Sequence, residues 1–383
     1  MSRTVLLVGA SVRASAFSAI RAWFDPVAID LFADWDLRHA CPAHRVDPPS
    51  YPEAIEGLSL RATLPGTPWC YTGAIENHPT LIDRIARERP LWGNPGAVVR
   101  AVRDPFALAD ALRRAGLPAI DARRHAHGLP TDGSWLVKRL RSAGGAHIRP
   151  LDANGPAPVE GGEYLQRRIL GPSGSAVFVG TAAGSARLCG VTRQWIGHDG
   201  AAFGYLGSVG PVRVARAVRT QLGQLGSLLA RDFGLRGLFG VDFVLSRGAA
   251  WPVEVNPRPT ASVEVLEWAT GRPFFRDHAA AFGAEAAEAG HETCVMRPRG
   301  RVGKLVVFAP AGGRVPDAIR WPETDPGSGR LPRVADLPPP GTAFLTGQPV
   351  LTLLDAGPSA SSCRIRLARR LISWRDRLRS WSP

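Results

Sequence analysis

Between Leu238 and Arg258 the chain reads LFGVDFVLSRGAAWPVEVNPR, and no other stretch restricts the fold so tightly. Apolar, largely β-branched and aromatic residues on either side of a short Arg247-Gly248-Ala249 turn predict an antiparallel hairpin. With the turn centred on Gly248, Asp242 and Glu254 are equally far from it (248 − 242 = 6, 254 − 248 = 6) and face each other. Directly opposed residues share a face, and Asn256 joins them two residues further on. Two carboxylates so placed repel, and a divalent cation removes that cost. Two carboxylates and an amide carbonyl are hard oxygen donors of the kind magnesium takes. A solvated polar face is the alternative, against which stand the apolar neighbours Val241, Phe243, Val253 and Val255.

The rest of the chain must supply a packed setting, and its composition allows one. At 383 residues, 45% hydrophobic and 21% charged, it has material for two or three domains with real cores. The net charge of +14 attracts polyanions in general, but the excess is spread along the chain. Its one dense cluster is the tail RIRLARRLISWRDRLRS, where Ile365, Leu367, Leu371, Trp374 and Leu378 roughly mark one helical face. Such a helix either docks on its own protein or meets a membrane, an acidic patch or a partner. Five scattered cysteines make no disulfide framework, and His39, Cys41 and His44 lack the fourth ligand of a zinc site. No apolar run approaches the roughly 20 residues of a membrane helix. MSRTVLLVGAS has a charge and a short apolar stretch like a signal peptide, yet it runs into a strand, turn and helix. The expectation is a soluble cytoplasmic protein.

Along the chain, TVLLVGAS, RASAFSAIRAWF and PVAIDLF read as strand, helix and strand, a β-α-β opening whose turn Gly9-Ala10-Ser11 lacks a full glycine fingerprint. WCYTGAIENHPTLIDRIARE continues the alternation, with Glu76 and Asn77 in a loop and a helix opening at Pro79. Asp104 is a predicted N-cap with Pro105 at N1 and Gly116 ending the helix, so the first domain closes near 105. Residues 106–290 show short strands, frequent glycines and one long helix from about 212 to 233, an α+β pattern. Residues 291–383 form a proline-rich, β-rich C-terminal region that ends in the basic tail.

Base-composition drift has left two lysines, Lys138 and Lys304, among 47 basic residues other than histidine. A lysine kept where arginine is the habit points to a place that needs a compact ammonium, such as a phosphate contact, with chance survival as the alternative. Lys138 ends the strand WLVK, and the loop Ser142-Ala143-Gly144-Gly145-Ala146 after it can bring backbone N–H groups to phosphate oxygens. Lys304 has no such loop.

The order of strand lysine Lys138, glycine loop Gly144 and Gly145, hinge YLQRRILG, then Asp242, Glu254, Asn256 and Arg258 resembles the ATP-grasp superfamily. The opening domain resembles the one before ATP-grasp modules in biotin-carboxylase-like ligases. The resemblance covers residues 1 to 290 and implies a Rossmann-like α/β domain, then a two-lobed ATP-grasp domain and a small C-terminal region. The nucleotide would lie between the lobe 135–171 and the hairpin 237–260. It implies Lys138, Gly144 and Gly145 for ATP phosphates and the hinge Gln166, Arg167 and Ile169 for adenine. Asp242, Glu254 and Asn256 would hold one or two magnesium ions, with manganese as a substitute, and Arg258 would sit beside the transferred phosphoryl group. Where the family often has a hinge glutamate, this chain has Gln166.

The chemistry so implied is phosphorylation of a carboxylate and capture of the acylphosphate by an amine, with ADP released. Arg193 in GVTRQW, with Arg258, is a candidate for the developing charge, or else an exposed strand residue. GAIENHP and LWGN are similar to predicted carboligases linked to tetrahydromethanopterin and methylofuran cofactors, which join glutamate or another amine to a carboxylate. Small-molecule substrates, no nucleic acid and an open question of homo-oligomers follow. The rivals are a regulatory nucleotide binder with a degenerate site and a basic-surface protein that binds nucleic acid or membrane.

Overall fold

In a computed structural model the structure describes residues 3–142, 144–145, 147–153, 155, 161–198, 201–284 and 299–381. Cys294, Ala143, Ala146 and the expected boundary at 290 lie outside the described residues. The chain opens with β1 (Thr4–Gly9), α1 (Arg13–Arg21), β2 (Asp25–Asp30), α2 (Trp35–Ala40), β3 (Ala43–Arg45), α3 (Glu53–Ala62) and β4 (Trp69–Tyr71). The four strands form a parallel sheet in the order β3-β2-β1-β4, as the near-continuous apolar runs predict. Helices α4 (Pro79–Glu88) and α5 (Gly96–Arg103) follow, and α6 (Pro105–Arg114) opens on Asp104, whose carboxylate accepts from the Phe106 and Ala107 amides.

A four-stranded lobe comes next, ordered β5 (Ala122–Arg123), β8 (Glu163–Arg167), β6 (Asp132–Arg139), β7 (Arg149–Asp152). Lys138 stands on β6 opposite Tyr164 of β8. The main sheet then takes β9 (Ser173–Gly180), β10 (Ala186–His198), β11 (Ala201–Gly210), β12 (Gly237–Ser246) and β13 (Ala249–Asn256), with α7 (Arg216–Asp232) on its apolar face. Val241, Phe243 and Val255 are buried against Leu222, Leu225 and Leu229 of α7, which settles the packing of the hairpin.

Helices α8 (Ala261–Thr270) and α9 (Phe275–Ala281) precede β14 (Arg301–Phe308), β15 (Gly313–Arg314), β16 (Val334–Ala335), β17 (Ala343–Phe344), β18 (Pro349–Gly357) and α10 (Ala360–Arg379). β14 pairs with β11 and β18 with β14, so the C-terminal segment extends the main sheet to eight strands. The basic tail docks on its own protein through Cys363, Leu367 and Leu378, with Trp374 beside Trp321 and Trp381. Ile365, expected on that face, instead points outward at 54% exposure. A helix face read from a sequence is wider than the stripe that a sheet covers.

Candidate functional site

Asp242 does face Glu254, but by a different route from a three-residue turn. Ser246 pairs with Ala249, so the loop is the two residues Arg247 and Gly248, both at positive φ. That tighter turn alone would set Asp242 opposite Val253. A bulge between Phe243 and Asp242 on the pairing ladder leaves Val253 as the extra residue and restores Glu254 to its place. Pro252, which has no amide hydrogen to give to the ladder, sits just before the bulge.

The bulge has a second effect. Lys138 Nζ donates to the Val253 carbonyl and to Gln166 Oε1, each at 3.1 Å, and its side chain is buried. Burial works against the ammonium, but Tyr164, Glu254 and Asp242 outweigh it and hold the group above the usual lysine range. Gln166 thus occupies the hinge with its side chain turned to the lysine.

Asp242 accepts from Gln194 Nε2 at 3.0 Å and Asn256 Nδ2 at 3.2 Å. Burial and the facing Glu254 push its carboxyl up to about 6. Arg258 leaves the strand between Pro257 and Pro259, and its Nε and one terminal nitrogen donate to Glu76 Oε1 at 2.8 and 2.6 Å. The same nitrogen donates to Asn256 Oδ1 at 3.1 Å. Burial opposes this guanidinium, yet Glu76, Glu254 and Asp242 keep it above its ordinary value. Tyr71 and Asn94 of the first domain donate to the Pro257 carbonyl and anchor the turn.

These groups converge on a cleft of about 370 Å³ between the small lobe and the hairpin. Lys138, Gly144, Gly145, Gln166, Arg167, Ile169, Asp242, Glu254, Asn256 and Arg258 all line it. Both loop glycines have positive φ, and a Cβ on Gly145 would lie 2.2 Å from the Phe203 carbonyl oxygen, so the loop rests on β11 as only glycine allows. Arg193 is the correction. It points to the exposed face of β10, while its neighbours Gln194 and Ile196 turn into the cleft, because alternate strand residues face opposite ways.

Sequence reasoning also missed Arg103, which donates to the Glu76 carbonyl, Asn77 Oδ1 and the Ser142 carbonyl and stands 3.9 Å from Glu254. It ties the first-domain loop to the glycine loop. Glu76, which the sequence places only in a loop, is the counter-ion of Arg258, 182 residues away. A divalent cation fits the donor set, since Glu254 pushes the Asp242 carboxyl up and an ion bonded to both would remove that repulsion. Asn256 would have to turn its amide oxygen from Arg258 toward the ion.

Residues 102–262 match the ATP-grasp domain family. Over 212 residues the chain is 27% identical to the carbamoyl phosphate synthase large chain of Beutenbergia cavernae, covering 48% of this chain and 19% of that one. The chain therefore spans about a fifth of the length of that curated relative. The fold is similar to the biotin carboxylase domain of Hydrogenobacter thermophilus 2-oxoglutarate carboxylase, a dimer in complex with MgADP, ADP and bicarbonate, with TM-score 0.71 at 16% identity, covering 96% of this chain and 89% of that one. The Campylobacter jejuni biotin carboxylase in complex with a β,γ-ATP compound gives TM-score 0.69 at 14% identity over 96% and 90%. An ADP complex of N5-carboxyaminoimidazole ribonucleotide synthetase gives 0.65 at 13% over 97% and 96%.

Proposed function

The chain carrying an ATP-grasp domain, we propose that it is an ADP-forming ligase that activates a carboxylate with ATP and passes the acyl group to an amine. The observation that carries this reading is the hairpin end, where Asp242 and Glu254 face each other beside Lys138 and Arg258 in one cleft. ATP lies between the small lobe and the hairpin, with adenine along Gln166, Arg167 and Ile169 and its phosphates under Gly144 and Gly145. Lys138 meets a phosphate oxygen as a point charge. Asp242, Glu254 and Asn256 hold magnesium, which neutralises charge on the phosphates. Arg258, fixed by Glu76, faces the phosphoryl group in flight. A substrate carboxylate oxygen forms the bond to the terminal phosphorus as the bond to ADP breaks. The amine then forms the C–N bond and phosphate leaves.

The relatives act on different partners, bicarbonate among the bound species of one, so the carboxylate is the open variable. Glutamate or another amine joined during assembly of a one-carbon carrier, tetrahydromethanopterin or methylofuran, is the finer proposal, supported by the GAIENHP and LWGN segments. Cytoplasmic residence and a homo-oligomer belong with it, the latter by likeness to a dimeric neighbour. A panel of carboxylates and amines assayed for ADP and phosphate tests the reaction. Equal amounts of both are expected, with a hydroxamate when hydroxylamine replaces the amine. AMP and pyrophosphate would overturn the mechanism.

A further inference from the structure

Behind Arg258 lies a second chamber of about 370 Å³, walled by the Ser11 and Gly73 turns of the first domain, by α8 and by β14 and β18. It shares Tyr205, Arg258, Thr260 and Ala261 with the nucleotide cleft, so the two open toward the same guanidinium. Phe32, Val306, Val350 and Leu351 give it apolar walls. The charged residues that line it are Asp34, Asp336, Arg258 and Lys304, and three of the four already have a partner of opposite charge. Lys304 Nζ, 2.7 Å from Glu264, and Arg13, paired with Glu264 and Asp336, are the local cations, and Arg258 is already matched by Glu76. Against Lys304 and Arg13 stand Glu264, Asp336, Asp36, Asp30 and Asp34.

Asp34 is the acid left over. It is 5% exposed, lines the chamber and stands at the N-cap of α2, yet its side chain takes no capping hydrogen bond and no ion pair is found for it among the described residues. Ala33, just before it, has φ 46, a left-handed backbone that sets the aspartate's direction. Burial and the neighbouring Asp336, Asp36 and Asp30 push the Asp34 carboxyl up, so it holds either a proton or a cation brought to the chamber. The apolar walls of the chamber suit an organic cation better than a hydrated metal ion.

We propose that this chamber is the acceptor pocket and that it takes a primary ammonium on an apolar body, with Asp34 and Asp336 as its counter-ions. The inference rests on the ligase reading for its chemistry and on the chamber alone for its ligand class. In the transfer step the nitrogen forms the C–N bond and the C–O bond to phosphate breaks. Of the two protons the ammonium sheds, one goes to Asp34 and on to water, and the other to the departing phosphate.

The test is calorimetric titration of the full chain, loaded with MgADP, with butylammonium chloride, butanol and sodium butyrate. Butylammonium is expected to bind at least about ten-fold more tightly than its two isosteres, and Asp34→Asn to remove about ten-fold of that affinity while still binding MgADP. Equal or tighter binding of butanol or butyrate overturns the proposal, as does unchanged butylammonium affinity in a folded Asp34→Asn variant. If that variant fails to fold, the three-ligand comparison on the wild type still decides. Failure of the wild type to bind MgADP would instead sink the ligase reading.

Discussion

Asp242 shows how a residue proposed to hold a cation can weaken the protein that carries it. Its carboxyl is raised to about 6 by burial and by Glu254, whereas in the unfolded chain it returns to the ordinary value of 3.8. The folded state therefore holds the proton more tightly. The stabilisation from the protonated form is complete below pH 4 and is lost as pH rises through 6, about 3 kcal/mol at 1.4 per pKa unit. Asp242→Asn should accordingly melt at a higher temperature than wild type at pH 7.5 without metal, with the difference shrinking toward pH 4, and should lose magnesium-dependent nucleotide binding. A lower melting point at pH 7.5 would show that the carboxylate is stabilising. Lys138 makes the complementary case. Gln166 Oε1 and the Val253 carbonyl each take one of its protons at 3.1 Å, and Tyr164 stands beside the same ammonium. Lys138→Arg should fold normally and lose turnover at least about a hundred-fold, since a planar fork cannot reproduce a point charge in that enclosure. Near-native turnover in a folded variant would refute the phosphate role.

At the level of elements, what could be read in advance was local. Asp104 capping α6 was legible because a cap satisfies amides two and three residues away. The facing of Asp242 and Glu254 was legible in outcome but not in cause, because a shorter turn and a bulge offset each other by one residue. Arg193 was chosen for its charge, and strand alternation turns it to the exposed face of β10 while Gln194 faces the cleft, the exposed-strand alternative that its sequence also allowed. Pairings between distant segments left no trace in the sequence. Arg13 to Glu264 and Arg21 to Glu267 lock α1 to α8 across roughly 250 residues, with Ser18 also donating to Glu267. All five side chains are buried. Removing one partner strands the other, so Arg21→Met and Glu267→Leu should each cost about 3–5 kcal/mol. The double variant Arg21→Met with Glu267→Leu should recover most of that loss. Denaturant unfolding of the four proteins in this cycle checks it, and equal loss in the single and double variants would mean that packing, not charge, is at stake.

For the whole molecule, the question left by a charge of +14 is whether the basic tail belongs to the fold or to a partner. Its arginines work at close range: Arg366 donates to the Ala356 carbonyl, and Arg370 to the carbonyls of Leu354 and Arg333. Those bonds tie α10 to β18 and to the segment before β16. Beneath them, Leu367 and Leu378 are fully buried in the cluster that holds Leu305, Val307, Leu351 and Leu353, strands that also wall the acceptor chamber. The tail is thus part of the scaffold that shapes the second cavity, although its sequence also allowed contact with a membrane, an acidic patch or a partner. Among the described residues no helix is long and apolar enough to cross a membrane. Two leucines buried at about 1.5–3 kcal/mol each, with the partly buried Leu371, Trp374 and Trp381 added, amount to roughly 5–10 kcal/mol, comparable to the whole stability of a domain. A chain ending at Ser359 should therefore be insoluble or should melt more than about 10 °C below the full chain. Anionic vesicles, by contrast, should leave the melting point of the full chain unchanged. A shortened chain as soluble and stable as the original would show that α10 serves an outside surface instead.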